Sequence, residues 1–228
     1  MYLFCGSDSD SRGYGHRQLR TDIIDEVYPC GSKLPSKRTI AEELRKKGKK
    51  PFLAPLGGAT PIGNLGDISP RALSTLEQVD FIAAEDTRNS MRLLTHLGIS
   101  KPMVSYFEHN KRERGEIIVD RILAGESCAL VTDAGTPAIS DPGEDVVALA
   151  AEAGVRVSVV PGPCAAVSAL AMSGLPTGRF AFEGFLPVKG KERRERIEAP
   201  SHEVRTAILY EAPHKLVTTL TDLCDALG

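Results

Sequence analysis

From Phe52 to Leu227, short apolar runs alternate with stretches in which apolar residues recur every three or four positions. Phe81-Ile82-Ala83-Ala84, Met103-Val104-Ser105-Tyr106, Cys128-Ala129-Leu130-Val131 and Val155 to Val160 are too short for amphipathic helices. They predict the strands of a parallel sheet covered by helices, with Phe81 to Ala84 buried. The helices between them are marked by their ends. Ser69-Pro70 supplies an N-cap and a first-turn proline ahead of Leu73, Leu76 and Val79. A helix over Asn89 to Leu97 stops at Gly98, and one over Asn110 to Ala124 places Ile117, Ile118, Arg121 and Ile122 at helical spacing before Gly125. Gly143 to Ala153 and Cys164 to Met172 complete the series. This alternation predicts the α/β class with a mainly parallel sheet.

Gly174-Leu175-Pro176 interrupts the pattern, so residues 51–174 are expected to form a first α/β domain and 175–228 a smaller, partial second one. The second has strands at Phe180 to Phe182 and Thr206 to Tyr210, a charged helix around Lys191 to Glu198 and a helix at Lys215 to Leu227. Two strands bury little apolar area unless they pack on the first unit. Residues 1–50 mix Gly, Ser, Asp and Arg with few apolar runs and are expected to form a poorly ordered extension, apart from a helix at Ile40 to Lys47. The first strand, near Phe52, is expected to be compromised. Pro55 removes a ladder donor, and Gly57-Gly58 weakens strand propensity where a central strand should run.

The chain has 228 residues, 42% of them hydrophobic, enough for one large domain or two modest ones. No apolar stretch approaches the ~18 residues of a membrane span, and the start lacks a signal-peptide pattern, which predicts a cytoplasmic, globular protein. Five scattered cysteines, Cys5, Cys30, Cys128, Cys164 and Cys224, never form a C-x-x-C pair, so reduced thiols and no metal are expected. A net charge of -2 argues against nonspecific coating of nucleic acid. Two segments are locally basic, Lys33 to Lys50 and the run Lys189, Lys191, Arg193, Arg194, Arg196; each alone reads as a solvated helix face.

Ligands of parallel α/β sheets bind beyond the carboxyl ends of the strands. Those positions here hold Ala59-Thr60-Pro61-Ile62-Gly63-Asn64-Leu65-Gly66-Asp67, Glu85-Asp86-Thr87-Arg88, Asp133-Ala134-Gly135-Thr136-Pro137 followed by Ser140-Asp141-Pro142-Gly143, and Pro161-Gly162-Pro163-Cys164. Glycines in the first loop permit close backbone approach to a ligand, and the acidic pair with Arg88 suits either a polar ligand or mutual pairing. A dinucleotide site is excluded because no G-x-G-x-x-G occurs at this loop, although Glu85 lies near the expected ribose-binding distance; a Walker-type phosphate loop is absent too.

With Phe182-Glu183-Gly184-Phe185-Leu186-Pro187 and Tyr210-Glu211-Ala212-Pro213-His214-Lys215-Leu216, these segments resemble, in order, the bacterial small-subunit ribosomal RNA cytidine 2′-O-methyltransferases of the tetrapyrrole methylase superfamily. The resemblance covers Phe52 to Gly228. It implies a two-domain fold with S-adenosylmethionine in the cleft, contacted at Ile62, at Val131, Thr132, Asp133 and Thr136, at Cys164 and Ala165, and near Leu186 and Glu211, mostly through backbone. It also implies small-subunit ribosomal RNA, or the assembled small ribosomal subunit, as partner and a homodimer as assembly. Glu85, Asp86 and Arg88, with His109 as a secondary candidate, are expected to line the acceptor side and orient or deprotonate a ribose hydroxyl. In the family context, Lys189 to Arg196 is expected to contact phosphates. Relative to the family the chain is expected to lack the last strands of the second domain. Two other readings fit the same residues: a catalytically incompetent fragment that binds cofactor or RNA, and a methyltransferase of a small molecule such as a tetrapyrrole.

Overall fold

A computed structural model of the protein describes residues 2–5, 51–57, 61–107 and 111–227. In chain order the elements are β1 (Tyr2–Cys5), β2 (Phe52–Pro55), α1 (Pro70–Gln78), β3 (Phe81–Ala84), α2 (Thr87–His96), β4 (Met103–Ser105), α3 (Lys111–Leu123) and β5 (Cys128–Val131). They continue with α4 (Glu144–Glu152), β6 (Arg156–Val157), α5 (Ala165–Met172), β7 (Phe180–Phe185), α6 (Gly190–Glu198), β8 (Thr206–Tyr210) and α7 (Leu216–Leu227). The expected helix at Ile40 to Lys47 lies outside the described residues.

Five strands form one parallel sheet in the order β4-β3-β5-β2-β6. Its inner strands β3 and β5 read as continuous apolar runs because both faces are covered, and the period of two sorts the side chains. Ile82, Ala84, Ala129, Val131, Ala54 and Leu56 pack with Ala72 and Leu76 of α1 and Leu94 of α2. Phe81, Ala83, Cys128, Leu130 and Leu53 pack with Ile118 and Ile122 of α3 and Val146 and Ala150 of α4. Ser69 caps α1 as its sequence predicts, accepting from Ala72 N–H at 3.1 Å. Arg121, placed among apolar positions by its spacing, stacks 3.6 Å above the Phe81 ring and pairs with Glu126.

The expectation of a compromised first strand is corrected. β2 lies between β5 and β6 and pairs with both. Pro55 is tolerated because its carbonyl, and with it the position of the missing N–H, faces β6 at the sheet edge, where Val160 N–H donates to Pro55 O at 3.0 Å. The lost donor shows as a gap: β2 pairs with β6 through Leu53 and Val157, and pairing resumes only at Leu56 and Val160. On the β5 side the ladder is intact, with Leu56 N–H on Leu130 O at 3.0 Å. Gly57 is needed for space, since a Cβ there would lie 2.9 Å from Thr136 Oγ1.

The second sheet has the order β1-β8-β7, with β7 parallel and β1 antiparallel to β8. The two strands anticipated from sequence are thus joined by Tyr2–Cys5, from the stretch expected to lack order. One face packs Leu209 and Leu186 on Ile197 of α6 and Leu223 of α7. On the other, Ile208 meets Ala166 and Leu170. The buried side of α5, which sequence order groups with the first unit, therefore lies on the second sheet. Tyrosines at two strand ends serve helix starts that lack their own caps. Tyr106 Oη accepts from Val146 N–H of α4, and Tyr210 Oη from Ala166 N–H of α5, both at 3.3 Å.

Candidate functional site

Because the first sheet is parallel, the loops after β2, β3 and β5 emerge at one edge, and Ile62, Glu85, Asp86, Asp133 and Thr136 lie on them, with Arg88 at the start of α2. Glu85 directly follows β3, and its Oε2 accepts from Asp133 N–H at 3.3 Å, tying the loops after β3 and β5. Asp133 Oδ2 in turn accepts from Asn89 Nδ2 of α2 at 3.0 Å. Burial raises the Glu85 carboxyl above its usual range, opposed by the Asp133 N–H and reinforced by the charges of Asp133 and Asp86.

Asp141 joins this group from the loop after β5. Burial and then the Glu85 charge push its carboxyl up to about 6, with Asp133 adding to the rise and a Thr132 hydrogen bond opposing it. The loop that delivers it is strained at Ala138 and Ser140, both with positive φ (68° and 59°). It also reaches the second sheet, where a Cβ on Gly184 would lie 3.0 Å from Ser140 Oγ. Tyr210, at the end of β8, feels burial first, then Cys164 and Asp141, and its phenol is raised. Ile62 lies against Gly135, and Thr136 against Gly57. Val131 is buried at the end of β5, and Cys164 and Ala165 open α5 beside Tyr210. Among the described residues no group of three or more His, Cys, Asp or Glu side chains is arranged to hold a metal.

Asp86 and Arg88 are engaged with each other. Asp86 caps α2 through Arg88 N–H at 2.8 Å and takes the Arg88 guanidinium bidentately, Nε at 3.2 Å and Nη2 at 2.9 Å. The Arg88 hydrogen bonds hold the Asp86 carboxyl down at about 2. His109 lies outside the described residues. Leu186 is buried in the core between the second sheet, α6 and α7. Glu211 accepts from Thr219 Oγ1 at 2.6 Å and from Ala212 N–H at 2.8 Å. Burial pulls its carboxyl up, but these bonds, with Lys215 and Arg193, bring it below its ordinary value.

The basic run is only partly a surface. Arg193, with 14% of its side chain exposed, bonds Asp222, Thr219 Oγ1 and Pro187 O. Arg196 pairs with Glu183, and Lys191 with Glu195. Of the five cations anticipated to meet phosphates, two are therefore held by the fold, while Lys189, Lys191 and Arg194 are exposed.

Sequence reasoning gave no role to Asp141, although its Ser140-Asp141-Pro142-Gly143 segment stands out. It also passed over a cleft of about 340 Å³ between Leu65, Asp133 and the Asn89, Arg92, Leu93 and His96 face of α2. The available signal was the spacing of Asn89, Arg92, Leu93 and His96, which puts a polar set and one leucine on a single helix face.

Comparison with known proteins agrees with this architecture. Residues 59–228 match the family model of the tetrapyrrole (corrin/porphyrin) methylases. Curated relatives include the ribosomal RNA small subunit methyltransferase I of Pseudomonas aeruginosa, 54% identical over 75% of this chain and 60% of the relative. That of Synechocystis sp. is 52% identical over 75% of this chain and 61% of its own length, and that of Escherichia coli O157:H7 is 49% identical over 74% and 59%. The chain thus spans about 60% of the length of these relatives. The uroporphyrin-III-C-methyltransferase of Thermus thermophilus shares the fold, with a TM-score of 0.50 and 19% identity over 77% of this chain and 72% of that structure. β1 and β2, the two strands that depart from expectation, both lie before the matched segment. The α/β architecture, the loop series at one sheet edge and the match over residues 59–228 together assign the chain to the tetrapyrrole methylase family.

Proposed function

We propose that this chain carries the S-adenosylmethionine-dependent 2′-O-methylation of a cytidine ribose in small-subunit ribosomal RNA. The observation that carries the reading is the convergence of Glu85, Asp133 and Asp141 at the carboxyl edge of the parallel sheet, beside the loops of Ile62 and Thr136. These residues fit the cofactor. A sulfonium cation suits the carboxylates of Glu85 and Asp141, which burial and neighbouring negative charges raise. Ile62, Val131, Thr132, Asp133, Thr136, Cys164 and Ala165 would hold it, with Leu186 and Glu211 reached from the second sheet. When bound, S-adenosylmethionine supplies a methyl group activated by its positive sulfur.

The protein's part is position and proton removal. Glu85 accepts the proton of the ribose hydroxyl; its raised carboxyl brings it nearer the working pH of a base. Asp86 and Arg88, bonded to one another at the start of α2, position the helix that borders the acceptor side. Lys189, Lys191 and Arg194 offer exposed charge to phosphates. Action on ribosomal subunits goes with a cytoplasmic location, and among the described residues no helix is long and apolar enough to cross a membrane. Exposed Phe180, Phe182, Phe185 and Met172 support a homodimer, which sedimentation would test.

The test is transfer of labelled methyl groups to isolated small ribosomal subunits, with the label recovered on a cytidine 2′-oxygen. Cofactor binding without transfer would point to a binding-only chain. Transfer to a tetrapyrrole instead of RNA would point to a small-molecule enzyme.

A further inference from the structure

The cleft between Leu65, Asp133 and the Asn89–His96 face of α2 has a different character from the carboxylate group beside it. Its volume of about 340 Å³ is at the lower end for small-ligand sites. Leu65 and Leu93 supply apolar walls, and Arg92 and His96 supply donors. Asp133 supplies an acceptor whose orientation is fixed, because Asn89 Nδ2 holds one of its oxygens at 3.0 Å while a carboxylate retains further acceptor sites. The cleft and the proposed reaction site share a wall, since the same Asp133 donates its N–H to Glu85.

Resting on the function proposed above, we infer that this cleft receives the base of the acceptor nucleotide, unstacked from its RNA, and that Asp133 reads it as cytosine. Sequence-specific recognition of RNA targets single-stranded nucleotides whose unstacked bases enter pockets with flat walls and polar groups on the base edge. Cytosine presents an amino group where uracil presents an oxygen, and a carboxylate accepts from the first and repels the second. Leu65 and Leu93 flank the ring faces, Arg92 and His96 serve the remaining acceptors or the adjoining phosphate, and the attached ribose lies on the Glu85 side. The backbone of Asp133 remains available to the cofactor, so its two roles do not conflict.

The experiment is fluorescence anisotropy of the 228-residue chain with two labelled single-stranded hexamers, oligocytidine and oligouridine. The expected result is about tenfold tighter binding of oligocytidine, the discrimination of one base-edge contact. Asp133→Asn, whose amide can present a donor or an acceptor, should bring the ratio close to one. Asn89→Ala should shrink it by releasing the carboxylate, and Arg92→Ala, at an exposed position, should weaken both oligomers alike. Equal affinity for the two, binding of neither, or a ratio unchanged by both Asp133→Asn and Asn89→Ala would overturn the inference. A cytidine preference with no methyl transfer to ribosomal subunits would sink the proposed function and leave the pocket standing. Transfer without a preference would do the reverse.

Discussion

At the carboxyl edge of the first sheet, Glu85, Asp133 and Asp141 crowd together, and burial with mutual repulsion holds Glu85 and Asp141 above the usual carboxylate range. Beyond the end of β8 in the second sheet, Asp222 pairs directly with Arg193, Glu211 is linked to the same arginine through Thr219, and Glu211 falls below its ordinary value. Both groups sit in one small protein, yet the carboxylates of the second are met by Arg193 and Lys215, while those of the first face one another's negative charge. A network that satisfies its own charges holds the fold. One that raises its own proton affinity suits a cationic ligand. The same contrast separates neighbours in sequence: Glu85 rises, while Asp86 is held down by Arg88.

Removing the arginine from the satisfied network should have the largest effect on stability. Arg193→Ala leaves Asp222, Thr219 and Pro187 O without their shared donor, and chemical denaturation should show a loss of about 2–3 kcal/mol, discounted from the fully buried case because Asp222 is 39% exposed. Neutralising the first group should act the other way. Asp141 in the unfolded chain gives up its proton near pH 3.8, whereas the folded site keeps it to about 6. The stability it contributes is therefore fully present below pH 3.8 and is lost as pH rises through 6. Asp141→Asn should raise stability at pH 7.5 by about 1 kcal/mol, after discounting for its half-exposure, and should change nothing at pH 3.5. A variant no more stable than the parent at pH 7.5 would show that the loop relaxes the repulsion. The smallest effect belongs to Asp86→Asn, which keeps an N-cap acceptor and loses only a pair with the exposed Arg88, and it should shift the thermal midpoint least of the three.

How much of this could be read in advance depended on whether the cause was local. The apolar runs at Phe81–Ala84 and Cys128–Val131 required burial on both faces, so the parallel sheet and its carboxyl edge followed from pattern alone. The Ser69 cap and the mutual pairing of Asp86 and Arg88 are likewise interactions between near neighbours. Asp141 was hidden because it reaches Glu85 only through a loop with two left-handed residues, which no periodicity announces. Arg193 looked like one of five surface cations because its partners, Thr219 and Asp222, lie on another helix. Pro55 looked fatal to β2 because the harmlessness of a missing donor depends on which neighbour that side of the strand faces. Residue type was informative about chemistry, and the assignment of roles waited on long-range partners.

The central claim is that the carboxylates at the edge of the first sheet seat a sulfonium cation. Calorimetric titration of the chain with S-adenosylmethionine and with S-adenosylhomocysteine, whose sulfur is neutral, at pH 5 and pH 7.5 tests it most directly. A cation among these groups favours their ionised forms, so affinity for the charged ligand should rise by roughly fivefold or more with pH, and that rise should shrink in Asp141→Asn. Affinity for the neutral ligand should stay nearly flat. Two ligands with the same pH profile in the parent chain would contradict the claim.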